Sequence, residues 1–259
     1  MPPALLEAPP VKSPTVVRPP AMPKPVLHGA DLVVRFNNGS VKLPGMAPSF
    51  DAVRAWKQSD DAPHTGKWSY LGDHFEIDLS MESVFHHGYA KVEIISVLRR
   101  LLKPGRRGWV SCDATTLTED EAGLNCEPDG VVVLAESVLA GRVRYTPKAN
   151  RPQESVEIVG AADVVLEVVS DSSVGKDVRL EPPLLFAAGV REFWRADCRG
   201  DACEFTIFAR GGEGWEAVTP DPDGFAASAV LDRRFRLVRL PEDEQGLIDF
   251  DFQDRELTP

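Results

Sequence analysis

The sequence predicts a mixed α/β protein: a mixed central β-sheet flanked by helices. Three observations lead there. Val164-Val165-Leu166-Glu167-Val168-Val169 is β-branched and apolar on both faces, as a strand in the middle of a sheet is. Phe85 to Leu102 carries Val92, Ile95, Leu98, Leu101 and Leu102 at three- and four-residue spacing, which reads as one long helix. Strand-like and helix-like stretches also alternate along the chain, as β, long α, β, β, β, α, β and a β-hairpin.

In chain order, residues 1–45 are rich in proline, which denies them a helix or a central strand. A disordered, mildly basic leader with Lys12, Arg18 and Lys24 is expected, with a small strand at Leu32–Phe36 near its end. The folded domain is expected over 46–241, followed by an acidic, fraying tail at 242–259. Ser49 can cap a helix over Phe50, Val53 and Trp56. Phe75, Ile77 and Leu79 alternate with Glu76 and Asp78 in a strand from Tyr70 to Leu79. Pro104-Gly105 ends the long helix. Strands are expected at Gly108–Thr116 and Asp129–Leu134, then a basic loop from Gly141 to Gln153. After the buried run, Leu180–Ala188 reads as a short helix ended by Gly189, and Val190–Trp194 as a strand. A hairpin is expected around Arg210–Gly214, and a last strand over Phe235–Leu240.

Composition narrows the class. The 259-residue chain is 43% hydrophobic, enough for a substantial core in one domain with extensions. Its net charge of −11 argues against tight non-specific nucleic-acid binding over the whole surface, but permits a local basic groove. Cys112, Cys126, Cys198 and Cys203 lack C-x-x-C spacing, so buried free thiols in a reducing compartment are expected. No apolar run reaches the roughly 18 residues of a membrane span, and the N-terminus does not read as a signal peptide, so a cytoplasmic protein is expected.

The chemistry centres on acids in strands. Glu167 interrupts a buried run, where a carboxylate is costly unless it is paired with a cation or a metal. Asp129 opens the Val131–Leu134 strand, and an acid on each of two strands can converge on one hard cation such as Mg²⁺. Acids also sit at strand ends simply for solubility. Glu76 is a third candidate, although alternation explains it equally as solvent-facing. His86 and His87, at the start of the long helix, suit a structural role first, and otherwise substrate orientation or metal binding. Lys176 is positioned to offer charge to a phosphate, or to be a plain turn lysine.

Glu127-Pro128-Asp129, Glu167-Val168-Val169-Ser170 with its Ser/Asp-rich turn, and Ala188-Gly189-Val190-Arg191-Glu192-Phe193-Trp194 together resemble the Uma-type family of putative restriction endonucleases, within the PD-(D/E)XK nuclease superfamily. Phe75–Asp78, His86-His87 and the long helix are similar to the family's upstream region, and the resemblance spans about Tyr70 to Leu240. It implies a restriction-endonuclease-like fold. It also implies that Asp129, Glu167 and Glu76 are ligands for Mg²⁺ or Mn²⁺ in a DNA endonuclease, with Lys176 assisting. The superfamily's lysine position, two residues past the second acid, holds Val169. The family's own lysine position, about fourteen residues past it, holds Glu181. DNA is expected against Arg142, Arg144, Lys148 and Arg151, with Arg99, Arg100, Arg106 and Arg107 in support, and a homodimer would suit a double-strand cut. The alternative is a catalytically degenerate nuclease fold that binds nucleic acid or a protein partner.

Overall fold

The computed structural model describes residues 31–257, apart from 37–38, 44–46, 60–65 and 149–150; most of the proline-rich leader therefore lies outside the described residues. The strands in chain order are β1 (Asp31–Phe36), β2 (Gly39–Leu43), β3 (Lys67–Leu71), β4 (His74–Asp78), β5 (Gly108–Ser111) and β6 (Thr116–Glu119). Then come β7 (Leu124–Cys126), β8 (Gly130–Leu134), β9 (Val143–Lys148), β10 (Arg151–Gly160), β11 (Val164–Val168) and β12 (Glu192–Asp197). The last are β13 (Glu204–Arg210), β14 (Trp215–Ala217), β15 (Ala226–Ser228), β16 (Arg233–Arg239) and β17 (Phe250–Glu256). Among the described residues the α-helices are α1 (Phe50–Lys57), α2 (Ala90–Leu102), α3 (Ala135–Leu139) and α4 (Glu181–Ala187). π-helical turns at Val84–Tyr89 and Lys176–Leu180 lead into α2 and α4.

Three sheets form. A six-stranded one runs β14-β13-β12-β11-β8-β5, an eight-stranded one runs β2-β1-β4-β3-β7-β6-β10-β9, and a small one runs β15-β16-β17. Alternation along β8 and β11 sorts side chains to two faces. Val132, Leu134, Val164, Leu166 and Val168 join α2 residues Ile94 and Leu98, and Phe235 and Phe252 of the small sheet, in one core. Val131, Val133 and Val165 join Leu117, Leu124 and Ile158 of the eight-stranded sheet, and Leu185 of α4, in another. The six-stranded sheet is therefore covered by the small sheet and α2 on one face, and by the large sheet on the other. Burial on both faces is why β11 is apolar at nearly every position.

The mixed α/β character holds, but helices do not flank a single central sheet. Most of the covering layers are themselves strands. The expected Tyr70–Leu79 strand is a hairpin, β3 and β4, turning at Gly72 with φ of 64°. The expected basic loop at Gly141–Gln153 is largely the β9–β10 hairpin. The acidic tail does not fray throughout: β17 pairs along β16, and Phe250 and Phe252 are buried. Their alternation, hidden among the tail's seven acids, is what carries the strand. The thiols are only partly as expected, since Cys126 and Cys198 are buried but Cys112 is exposed. No helix among the described residues is long and apolar enough to cross a membrane.

Gly130 shows how tightly α2 closes on β8. A Cβ there would lie 2.9 Å from Ile95 Cδ1 and 3.2 Å from Leu166 Cβ. Gly130→Ala is expected to cost about 1–3 kcal/mol through overpacking, seen as a lower urea midpoint at unchanged slope. An unchanged midpoint would show that the contact relaxes freely.

Candidate active site

β8 and β11 run antiparallel, with Val164 opposite Val132, Val165 opposite Val131 and Leu166 opposite Gly130. One step further along that register sets Glu167 beside Asp129. Pro128 then stops β8, having no amide to donate. The Val168 amide donates instead to Asp129 Oδ2 at 2.9 Å, so the carboxylate itself closes the end of the ladder. Both acids are 1% exposed and share the face of Val131, Val133 and Val165. They form the floor of a cleft of about 290 Å³, whose rim includes Lys67, Asp78, Ser80 and Glu82.

On the Asp129 side the cleft is rich in cations. Lys67 of β3 donates to Asp129 Oδ1 at 2.8 Å and pairs with Glu82 at 2.7 Å. His87 Nε2 lies 3.1 Å from Asp129 Oδ2, and its Nδ1 makes an ion-pair contact with Glu82 at 2.9 Å. Lys91, one helical turn after His87, reaches Glu82 at 3.0 Å, Asp113 at 2.7 Å and Asp129 at 3.6 Å. Asp129, Glu82 and Asp113 thus face Lys67, Lys91 and the His87 imidazolium, anion for cation. Burial disfavours the Asp129 anion, but the His87 hydrogen bond and the Lys67 charge outweigh it and hold the carboxyl well below the usual carboxylate range. Burial likewise opposes the imidazolium, yet the bonds to Asp129 and Glu82 push His87 up to about 9. Lys67 is held above its ordinary value against burial by the charges of Asp129, Glu167 and Glu82.

On the Glu167 side the balance is reversed. Lys176 opens the π-helical turn and folds back to Glu181 at 2.7 Å, Asp177 at 2.8 Å and Glu167 at 3.5 Å. Ser173 donates to Asp177 and also anchors the Ser170 amide at 3.0 Å. Glu181 starts α4 ahead of Pro182 and Pro183, residues suited to a helix's first turn. Three buried carboxylates therefore share one buried ammonium. Burial, then the Glu181 charge, pushes Glu167 well above the usual carboxylate range, with Lys176 pulling the other way. Burial also raises Asp177, against the pull of Lys176.

Of the residues expected from sequence, Asp129, Glu167 and Lys176 come together in the cleft. Glu76 does not line it. That side chain is buried on β4, with Val33 and Ser69 as its strand partners, so it is not solvent-facing either; Asp78, two residues on, reaches the rim instead. His87 is in the site, whereas His86 is half-buried beside Ser83. Lys148 lines a second hollow of about 510 Å³, which adjoins the cleft at Gly66, Ala114 and Glu127 and also holds Trp56 and Trp68. Arg142, Arg144 and Arg151 are exposed on the β9–β10 hairpin and line neither hollow; Arg142 lies 3.9 Å from Asp163, and Arg151 pairs with Glu154. Among the supporting arginines, Arg99, Arg106 and Arg107 are exposed, and Arg100 binds Asp254 at 2.6 Å.

Sequence reasoning passed over Lys67, Glu82, Lys91, Asp113 and Asp177, and it read Glu181 only as a departure from the expected lysine. One signal was available: Lys91 lies on the same stripe as Ile94, Leu98 and Leu102, where a charge calls for a partner. Lys67 offered none, because its role depends on the pairing of β3 with β4 and β7.

The profile of the Uma2 family, described as "Putative restriction endonuclease", matches residues 55–238. That span contains every residue of the cleft. A crystal structure titled as a putative nuclease belonging to DUF820 from Anabaena variabilis aligns with a TM-score of 0.50 at 17% identity. The alignment covers 66% of this chain and 86% of that one, and at this identity it speaks for the fold alone. No curated protein matches.

A pH dependence follows from His87. Its folded pKa lies above the ordinary 6.5, so the imidazolium stabilises fully below that value and the contribution is lost as pH rises through about 9. In metal-free protein the thermal midpoint is expected to fall across this window, and His87→Gln should remove that part of the fall. The same slope in both proteins would refute the assignment.

Proposed function

The chain belongs to the Uma2 family of putative restriction endonucleases, and on that premise we propose that it is a divalent-metal-dependent DNA endonuclease. The observation that carries this reading is the register-set pair Asp129 and Glu167 on the cleft floor, with Glu167 Oε1 buried and without a hydrogen-bond donor. Buried carboxylate oxygens without donors suit a hard cation, which takes oxygen ligands. Asp129 and Glu167 would hold Mg²⁺ or Mn²⁺, which when bound polarises a phosphodiester and activates water.

The surrounding side chains have separable tasks. His87 and the Val168 amide fix the orientation of the Asp129 carboxylate, and His87 with Lys67 keeps it ionised against burial. Lys67, partly exposed at the rim, faces the position of a phosphate and supplies the charge expected of the family's lysine. Lys176 acts indirectly, through the Glu167 carboxylate it approaches. The helper role expected of Glu76 passes to Glu82, which reaches the cleft from the segment leading into α2. Lys148 would meet the DNA backbone in the hollow that adjoins the cleft, and Arg142, Arg144 and Arg151 would do so farther away, around the β9–β10 hairpin. A symmetric dimer would supply the second site needed for a double-strand cut.

A second reading, a degenerate nuclease fold that binds without cutting, is favoured by one observation: Glu181 stands at the family's lysine position and engages Lys176. Plasmid cleavage with Mg²⁺ or Mn²⁺ separates the two. Asp129→Ala and Glu167→Ala are expected to reduce cleavage to background. No cleavage by the wild type, or equal cleavage by all three proteins, would refute the endonuclease reading. Lys67→Met is expected to lose activity and Lys67→Arg to recover part of it; full activity in Lys67→Met would remove Lys67 from the chemistry.

A further inference from the structure

The two sides of the cleft differ in how their charge is met. Around Asp129, carboxylates and cations match in number. Around Glu167, among the described residues, Lys176 is the one cation in ion-pair contact with Glu167, Asp177 and Glu181, while Lys67 acts on Glu167 only from farther away. These acids are 1%, 1% and 0% exposed, so water does not screen the excess. Glu167 Oε1 and Glu181 Oε1 have no hydrogen-bond partner, and the one hydroxyl that serves the cluster, Ser173, is spent on Asp177 Oδ2.

We propose that Glu167, Asp177 and Glu181 form a second divalent-cation site, sharing Glu167 with the Asp129 pair and using Glu181 as a ligand in place of the lysine the family carries there. One carboxylate oxygen from each lies within 4.8 Å of the others. Oxygens bound to one Mg²⁺ at about 2.0–2.1 Å are at most roughly 4.2 Å apart, so a spacing within 4.8 Å asks only a small inward turn of the three side chains to hold a single Mg²⁺ or the slightly larger Mn²⁺. The charge fits as well, since a divalent ion matches the two carboxylates that Lys176 leaves uncompensated. Entry is from the cleft, which Glu167, Lys176 and Asp177 all line. The Lys176 ammonium sits among the ligand oxygens at 2.7–3.5 Å and so competes with the metal for this position. Its four-carbon stem lets the ammonium withdraw into the cleft when the metal enters. The inference rests on the metal-dependent reading only in requiring that a divalent ion reach the cleft; it requires no cleavage.

The test is Mn²⁺ titration of the full chain without nucleic acid, by calorimetry and by electron paramagnetic resonance of the free ion. Glu181→Gln, nearly isosteric, is expected to weaken binding at this site by at least about tenfold. Asp129→Asn should leave it within about threefold of the wild type, because Asp129 is not among its ligands. Lys176→Met should tighten it by removing the competitor. If circular dichroism shows Glu181→Gln unfolded, Asp177→Asn takes its place with the same expectation. Unchanged Mn²⁺ affinity in Glu181→Gln, or loss of all binding in Asp129→Asn, overturns the second site and leaves the endonuclease reading standing if Asp129→Ala has abolished cleavage. Absence of Mn²⁺ binding by the wild type overturns both.

Discussion

The cleft depends on the register between β8 and β11. Side chains alternate along a strand, so a slip of one residue would send Asp129 or Glu167 to the opposite face, against α2. The register is held from both sides. Val131, Val133 and Val165 belong to one core, and Val132, Leu134, Val164 and Leu166 to the other. The bond from the Val168 amide to Asp129 then marks where the ladder stops and the cleft begins. Gly130 contributes by absence, since a side chain there would push α2 from the sheet just beside Asp129.

Given that register, the rest is a problem of charge in a poorly hydrated place. Carboxylates fixed on the floor must be met by cations from whatever elements pass nearby. β3 sends Lys67, the π-helical turn before α2 sends His87, and α2 sends Lys91. These come from the large sheet and from the main helix, so the ion network also fixes how those parts sit on the six-stranded sheet. Glu127, two residues before Asp129, is tied in the same way to the nearly buried Lys57 of α1 at 2.7 Å.

Much of this was legible in the sequence because it is local. The apolar run with a lone acid, the acid opening the next strand and the Gly189–Trp194 signature each occupy a few consecutive residues, and each lies where expected. What was not legible depends on pairing across long sequence distances. β8 and β11 are neighbours although two strands and α3 separate them in the chain. Lys67 meets Asp129 across 62 residues, and nothing in the composition around Lys67 announces that contact. Glu76 does not line the cleft for a related reason: alternation puts it on the same face of β4 as Asp78, but how far along that strand the cleft extends is set by the pairing with β3, which brings Asp78 and Lys67 to the rim and leaves Glu76 opposite Ser69. β17 was missed because its buried residues, Phe250 and Phe252, are outnumbered by acids in a segment whose composition suggests a tail.

Lys176 and Glu181 are best understood as one unit. A lysine in the strand position held by Val169, or on α4 where Glu181 stands, would have brought a positive charge directly to the floor. Here Lys176 instead arrives from the turn before α4, and Glu181 is placed to receive it at 2.7 Å. The pair is adjacent to Glu167 either way, so the position of a cation near that carboxylate is retained while the element that supplies it has changed. The exchange also alters the sum, because it adds a buried anion instead of a cation. A site with one more carboxylate and no extra lysine is stable only if protons or a metal make up the difference. Burial raises both Glu167 and Asp177 against the pull of Lys176, the direction expected where carboxylates outnumber cations.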